Sequence, residues 1–165
     1  MRIFKALLIF FIVFSLKAFG YEDFVQYEKG YYYITVKGVS PKAVNAKLIE
    51  EITNHKWDVI HTINVDKTVK SKTPYKTHLL CKAKYLKKGV EYFKPIGVII
   101  PCKMAIFVDG NNVVIMVEDV MELGKIYAPE DKKFEKFLRQ VKSEMIDILN
   151  KTAARFMSSK YTPYE

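Results

Sequence analysis

The chain is poor in the residues that define several specialised protein classes. Two cysteines among 165 residues exclude a disulfide-dense scaffold and a four-thiolate zinc site. Seven glycines and six prolines exclude a collagen-like or low-complexity tract. The sequence has no phosphate-binding glycine loop, no Gly-x-Ser-x-Gly turn and no His-Glu-x-x-His helix. With 50% hydrophobic and 27% charged residues, it is typical of one globular domain.

The longest apolar run is too short to cross a membrane. It covers residues 6–16, whereas a transmembrane helix needs about 20 apolar residues. Arg2 and Lys5 precede it, and the small residues Ala18 and Gly20 follow. This pattern predicts a secretory signal over residues 1–20 and a periplasmic or secreted protein. An uncleaved anchor is the alternative.

The positive charge is moderate once the predicted signal is removed. The formal net charge is +9, and the signal holds three basic residues and no acid, which leaves +6. The densest basic run is Lys82, Lys84, Lys87 and Lys88. Such a run is typical of a solvated helix face, although it could also bind phosphates or an anionic surface. We expect no nucleic-acid partner and no stable membrane insertion after cleavage.

Apolar periodicity and turn residues predict one domain over residues 21–157, followed by a frayed tail at 158–165. Ser40-Pro41 is typical of a helix start, and the asparagine- and glycine-rich stretch 109–112 is typical of a hairpin. Pro129 is expected to open the last helix, with Gly124 in a loop before it. Strands are predicted within 31–36, 57–65, 75–81, 96–108 and 112–120, and helices within 41–54, 83–93 and from 129 onward.

The element order β-α-β-β-(α)-β-β-α predicts an α+β fold. Short connections between consecutive strands favour an antiparallel sheet, with the helices on one face in a two-layer arrangement.

Three stretches resemble the domain-of-unknown-function family numbered 302. They are Trp57–Val65, Tyr75–Cys81 and Ile96–Phe107, the last beginning with Ile-Gly, three apolar residues and Pro-Cys. The resemblance covers about residues 30–150. It implies a TATA-binding-protein-like arrangement of strand, helix, curved sheet and closing helix, with no activity to carry over and no implied nucleic-acid binding. Many members have Asn-Pro after the first cysteine, where this chain has Lys82-Ala83.

Cys81 and Cys102 are the main candidates for chemistry. Cys102 alternates with Ile100 and Met104, and Cys81 shares its strand face with Leu79, so both are expected to face the core. Three interpretations stay open: buried free thiols, a structural disulfide, or a redox or ligand-binding pair.

His61 and Pro101 are secondary candidates. His61 falls on an otherwise apolar strand face, and Pro101 precedes Cys102 and predicts a strand edge or bulge. A soft site of Cys81, Cys102 and His61 would suit Cu(I) or Zn(II). A core-edge histidine is the more ordinary interpretation, so no metal and no cofactor is predicted.

His78 is expected to be exposed. The tyrosines Tyr27, Tyr31, Tyr32 and Tyr33 favour an edge strand with one packed face, and the alternative is that they line a pocket or a partner surface.

These patterns favour an exported, soluble, single-domain accessory protein that binds a small molecule or a protein. No catalytic residue is predicted. The expected binding site is a groove between the sheet and the terminal helix, and a homodimer through an exposed sheet edge is a further expectation. The alternatives are a thiol-redox or sulfur- and metal-handling protein that uses Cys81 and Cys102, and a structural component of an envelope complex.

Overall fold

The computed structural model describes residues 24–100, 102–127 and 131–157. The predicted signal and tail, Pro101 and Pro129 lie outside these described residues. Within them, no helix is both long enough and apolar enough to span a bilayer.

The described chain forms six strands, five α-helices and one 3₁₀ segment. The strands are β1 (Gln26–Glu28), β2 (Tyr31–Lys37), β3 (Asp58–Asn64), β4 (Tyr75–Cys81), β5 (Cys102–Asp109) and β6 (Asn112–Glu118). The helices are α1 (Pro41–Asn54), α2 (Val65–Thr68), α3 (Ala83–Tyr92), α4 (Val120–Tyr127) and α5 (Lys132–Met157), with the 3₁₀ segment at Lys94–Val98.

The strands form one antiparallel sheet in the order β1-β2-β6-β5-β4-β3. The predicted α+β class with an antiparallel sheet is therefore confirmed. The tight turn between β5 and β6 lies at Gly110-Asn111, as expected, because Gly110 takes a positive φ of 56°.

The core lies between one face of the sheet and helices α1 and α5. In the middle strands, alternate residues such as Ile34, Ile115 and Met104 are fully buried. Apolar residues of helical spacing meet them from the other layer: Val44, Leu48, Ile52, Phe134, Phe137, Val141, Met145 and Ile148. The neighbouring residues on the strands, among them Tyr33, Ala105, Thr77 and Ile63, face the other side and are half-buried or exposed.

Helix ends follow local capping chemistry. The Ser40 hydroxyl accepts a hydrogen bond from the Ala43 amide at 3.2 Å, and Pro41 occupies the first turn, as predicted. The last helix, however, begins at Lys132, because the Asp131 carboxylate caps it by accepting from the amides of Lys133 and Phe134. The predicted start at Pro129 lies outside the described residues.

Several local predictions need correction. The apolar stretch 96–98 is not strand but belongs to the 3₁₀ segment, where Pro95 fits the first turn. The predicted loop around Gly124 is helix α4, in which Gly124 packs directly against Leu138. Strand β2 is not an edge strand, because β1 pairs with it through Tyr27 and Tyr32.

The true edges are β1 and β3, and neither is well suited to pairing with another strand. β1 has three residues, and β3 carries a register shift between Val59 and His61. Short strands and bulges both disfavour edge-to-edge association. The edge-to-edge homodimer stays a prediction.

Candidate functional site

The two cysteines lie on opposite faces of the sheet. Both are free thiols. Cys102 faces the helices and is 1% exposed, as predicted. Its partner across the ladder is Leu80, which takes the inward position on β4. Cys81, the next residue, therefore faces the other side and is half-buried, so the prediction that it faces the core is wrong.

The surroundings of the two thiols disfavour thiolate chemistry. Burial raises the pKa of Cys102 to about 12, with a further contribution from Glu118. Burial also raises the pKa of Cys81, and the nearby Asp58 carboxylate adds to this effect. Reactive cysteines need a lowered pKa and a positive environment. The geometry thus brings neither a redox pair nor a disulfide-forming pair together.

His61 does not join the cysteines. The irregularity at Ile60 reverses the strand alternation, so His61 pairs with Leu79 and is exposed rather than part of an apolar face. Within residues 24–100, 102–127 and 131–157, no three histidine, cysteine or acidic side chains are placed to hold a metal ion. Pro101 lies outside the described residues.

His78, which was expected to be exposed, is buried on the helix side of β4 with 2% exposure. Its two ring nitrogens contact the Thr62 hydroxyl at 2.9 Å and the Asn45 carbonyl oxygen at 2.8 Å. Burial, reinforced by the charge of Lys76, lowers the pKa of this imidazole and favours its neutral form. Since Asn45 Oδ1 can only accept, Nε2 of the neutral ring donates to it and Nδ1 accepts from Thr62.

The buried imidazole predicts that stability falls on mild acidification. The unfolded chain binds the proton with an ordinary histidine pKa near 6.5, while the folded chain binds it only at lower pH. The free energy of unfolding should therefore decrease as the pH falls below about 6.5. Urea unfolding of the wild type and H78Q between pH 7.5 and 5.5 measures this, and H78Q should flatten the slope. The exposed-histidine variant H61Q is the matched control, and an unchanged slope in H78Q would contradict the assignment.

The space between the sheet and α5, where the binding groove was expected, is filled by side chains. Phe134, Phe137 and Val141 are each at most 3% exposed and belong to the same core cluster as Cys102. The opening found there measures only about 10 Å³. It is too small to hold a ligand larger than a water molecule.

A larger cavity lies at the start of α1, beside the end of the sheet where β4 begins and β5 ends. Its volume is about 420 Å³, within the range of roughly 300–1,000 Å³ that small-molecule sites have. The lining is mainly apolar and includes Pro41, Pro74 and the inward-facing Ile106. Tyr75 and Phe107 border the cavity where β4 begins and β5 ends, but their rings, with centroids 5.2 Å apart, lie on the sheet face away from α1. The complete lining is Ser40, Pro41, Lys42, Asn45, Pro74, Tyr75, Lys76, Ile106 and Phe107.

The cavity adjoins the buried histidine through Asn45. The side chain of Asn45 lines the cavity and accepts from His78 through Oδ1, which fixes the amide orientation. The sequence predicts the helix start at Ser40-Pro41 and the break at Pro74, but no sequence signal joins them to Phe107. Their proximity depends on α1 packing across the sheet beside β5.

A second polar cluster surrounds Glu144 of α5. Its carboxylate accepts from Trp57 Nε1 at 2.7 Å, Lys82 Nζ at 2.8 Å and Tyr85 Oη at 2.6 Å. Lys82 also lies 5.0 Å from the centroid of the Tyr85 ring. These groups bind one another, so the cluster connects α5 to the segments that carry Trp57, Lys82 and Tyr85. Because the Glu144 carboxylate already accepts three hydrogen bonds, it is not available as a general base.

The comparisons with known proteins agree with the fold. The sequence profile of a family described as "Domain of unknown function DUF302" matches residues 32–152. A crystal structure of an uncharacterized conserved DUF302 protein from Bacillus stearothermophilus superposes with a TM-score of 0.70, at 13% sequence identity. The match covers 76% of this chain and 99% of that one. No curated protein matches.

The fold and cavity thus define a two-layer α+β domain with an apolar opening of about 420 Å³ at the start of α1. The chain belongs to the DUF302 family.

Proposed function

We propose that this protein is an exported accessory protein that binds a small, largely apolar molecule in the cavity at the start of α1. The observation that carries this proposal is the cavity itself, which combines a volume of about 420 Å³ with a mainly apolar lining that includes Pro41, Pro74 and Ile106. Small-molecule sites usually pair such an apolar wall with a few polar groups. Export rests on the signal-like residues 1–20 alone.

Binding rather than catalysis is favoured by the groups around the cavity. Its lining contains no carboxylate, cysteine or histidine. His78, the nearest titratable group with an altered pKa, is occupied on both ring nitrogens. A nucleophilic Ser40 would need an adjacent general base to activate it, and the lining offers no carboxylate or histidine for this role.

A neutral fluorescent probe tests the proposed cavity. N-phenyl-1-naphthylamine should bind the wild-type protein with an increase in emission, and P41A/P74A, which removes two proline rings of the lining, should weaken this binding about tenfold. A tenfold change corresponds to about 1.4 kcal/mol, the free energy gained when a ligand covers about 55 Å² of apolar surface. Fluorescence titration gives both dissociation constants.

The matched control is P95A, which removes an exposed proline ring from the 3₁₀ segment, outside the cavity lining. It should bind the probe as the wild type does. Circular dichroism of both variants verifies that the fold is retained. Probe binding that is unaffected by P41A/P74A, or no binding to the wild type, would overturn the proposal.

A further inference from the structure

The polar groups that line the cavity are hydrogen-bond donors or cations. Lys42 and Lys76 both contribute to its wall, and no acidic residue does. Within the described ranges, neither lysine has an ion-pair partner, although nine other lysine and arginine side chains there do. The cavity therefore carries positive charge that the described chain does not neutralise.

Asn45 adds a neutral donor to the two lysines. His78 donates to its Oδ1 and thereby fixes the orientation of the amide, which leaves the Nδ2 group to donate to a ligand. Ser40 Oγ accepts from the Ala43 amide and keeps its own proton for donation. A ligand group that fits these surroundings must accept hydrogen bonds and carry negative charge.

We propose that the cavity binds a small amphipathic carboxylate, with its apolar body against Ile106, Pro41 and Pro74 and its carboxylate bound by Lys42 and Lys76. This inference rests on the proposed function, because it names the class of ligand for the same cavity. A carboxylate is favoured over a phosphate because no arginine lines the cavity, and arginine provides the bidentate geometry that phosphate recognition commonly uses.

The size and openness of the cavity fit such a ligand. The volume of about 420 Å³ accommodates an aromatic acid with a short alkyl chain. Lys42 is exposed at the rim, while Lys76 is half-buried on β4, where it pairs with Ile106 of β5. A charge paired with a partly buried lysine is screened less by salt than one at an exposed site.

The test compares two ligands that differ only in charge. We expect 4-butylbenzoate to bind the full-length protein at least about tenfold more tightly than 4-butylbenzamide in calorimetric titrations at low salt. The double variant K42M/K76M should remove this difference, because methionine keeps an unbranched side chain but carries no charge. K87M, which changes an exposed lysine on α3 outside the cavity lining, is the matched control and should behave as the wild type.

The outcomes separate the two proposals. Equal affinity for the acid and the amide, or an advantage for the acid that survives in K42M/K76M, would overturn the carboxylate inference. The apolar cavity would then still stand, provided that P41A/P74A weakens 4-butylbenzamide binding. If neither compound binds and N-phenyl-1-naphthylamine does not bind either, the proposed function itself fails. Unfolding curves of K42M/K76M establish whether the variant is folded under the conditions of the titration.

Discussion

Replacement of Phe137 by alanine is expected to lower the free energy of unfolding by about 3–5 kcal/mol. The ring is 1% exposed on α5 and packs edge-on against Tyr85 at a centroid distance of 5.7 Å. It also packs against Tyr92 at 5.9 Å and stacks on Phe134 at 6.1 Å. Alanine is too short to reach these three rings and would leave a cavity that they cannot fill without moving.

Urea unfolding at pH 7.5 measures the effect, and I126A provides the control. Ile126 is a large apolar residue on the neighbouring helix α4, but it is 71% exposed. Its truncation should change stability by no more than about 0.5 kcal/mol. If F137A cost as little as I126A, the packing of α3 on α5 through Phe137 would be wrong.

The fold could be predicted from the sequence where one face of an element is clearly apolar. The spacing of Val44, Leu48 and Ile52 is helical, and all three are fully buried in α1. The hairpin at Gly110 was equally clear, because few residues adopt its backbone conformation. In such segments the local preference and the tertiary packing agree, so pattern alone is sufficient.

Prediction was wrong where apolar residues occupy both faces of a strand. In β4, Leu79 and Leu80 are adjacent, so alternation cannot say which of them faces the helices. Leu80 does, and this places His78 inside and Cys81 on the other face. In β3 the bulge at Ile60 changes the alternation halfway along the strand, and a single extra residue leaves no signal in apolar spacing.

The candidate site was beyond sequence reasoning for a different reason. A cavity is the space left between elements, and its lining residues are far apart in the sequence, from Ser40 to Phe107. The sequence favours the two cysteines as site candidates because thiols have a recognisable chemistry. It gives no such signal for Lys42 and Lys76, because a lysine without an ion-pair partner cannot be told from other surface lysines. Only the strand order places both beside one opening.

Replacement of Glu144 by alanine is expected to cost about 2–3 kcal/mol at neutral pH, because one carboxylate holds three donors. Trp57 precedes β3, Lys82 follows β4 and Tyr85 lies on α3, so the variant would leave polar groups from three segments without their acceptor. Urea unfolding gives the free energy. Trp57 is the single tryptophan of the chain, so its fluorescence reports directly on this cluster.

The pH dependence distinguishes the role of this carboxylate from simple packing. Burial alone would raise the pKa of Glu144, but hydrogen bonds from Lys82, Tyr85 and Trp57 outweigh it and hold the pKa below the ordinary value of 4.5. The stabilisation is therefore fully present above about pH 4.5 and is lost as the pH falls through the lowered folded-state pKa. The difference in stability between wild type and E144A should shrink in that acidic range.

E135A on the same helix is the matched control for E144A. Glu135 is exposed and pairs only with Arg139 in the described structure, an exposed pair of the kind worth about 0.3–0.5 kcal/mol. Equal losses of stability in E135A and E144A would mean that Glu144 is an ordinary surface charge. A loss in E144A that persists unchanged at pH 3 would assign the effect to packing of the side chain and not to its charge. The expected result, a large loss confined to the ionised form, would identify Glu144 as the electrostatic link that fixes α3 and the start of β3 to α5.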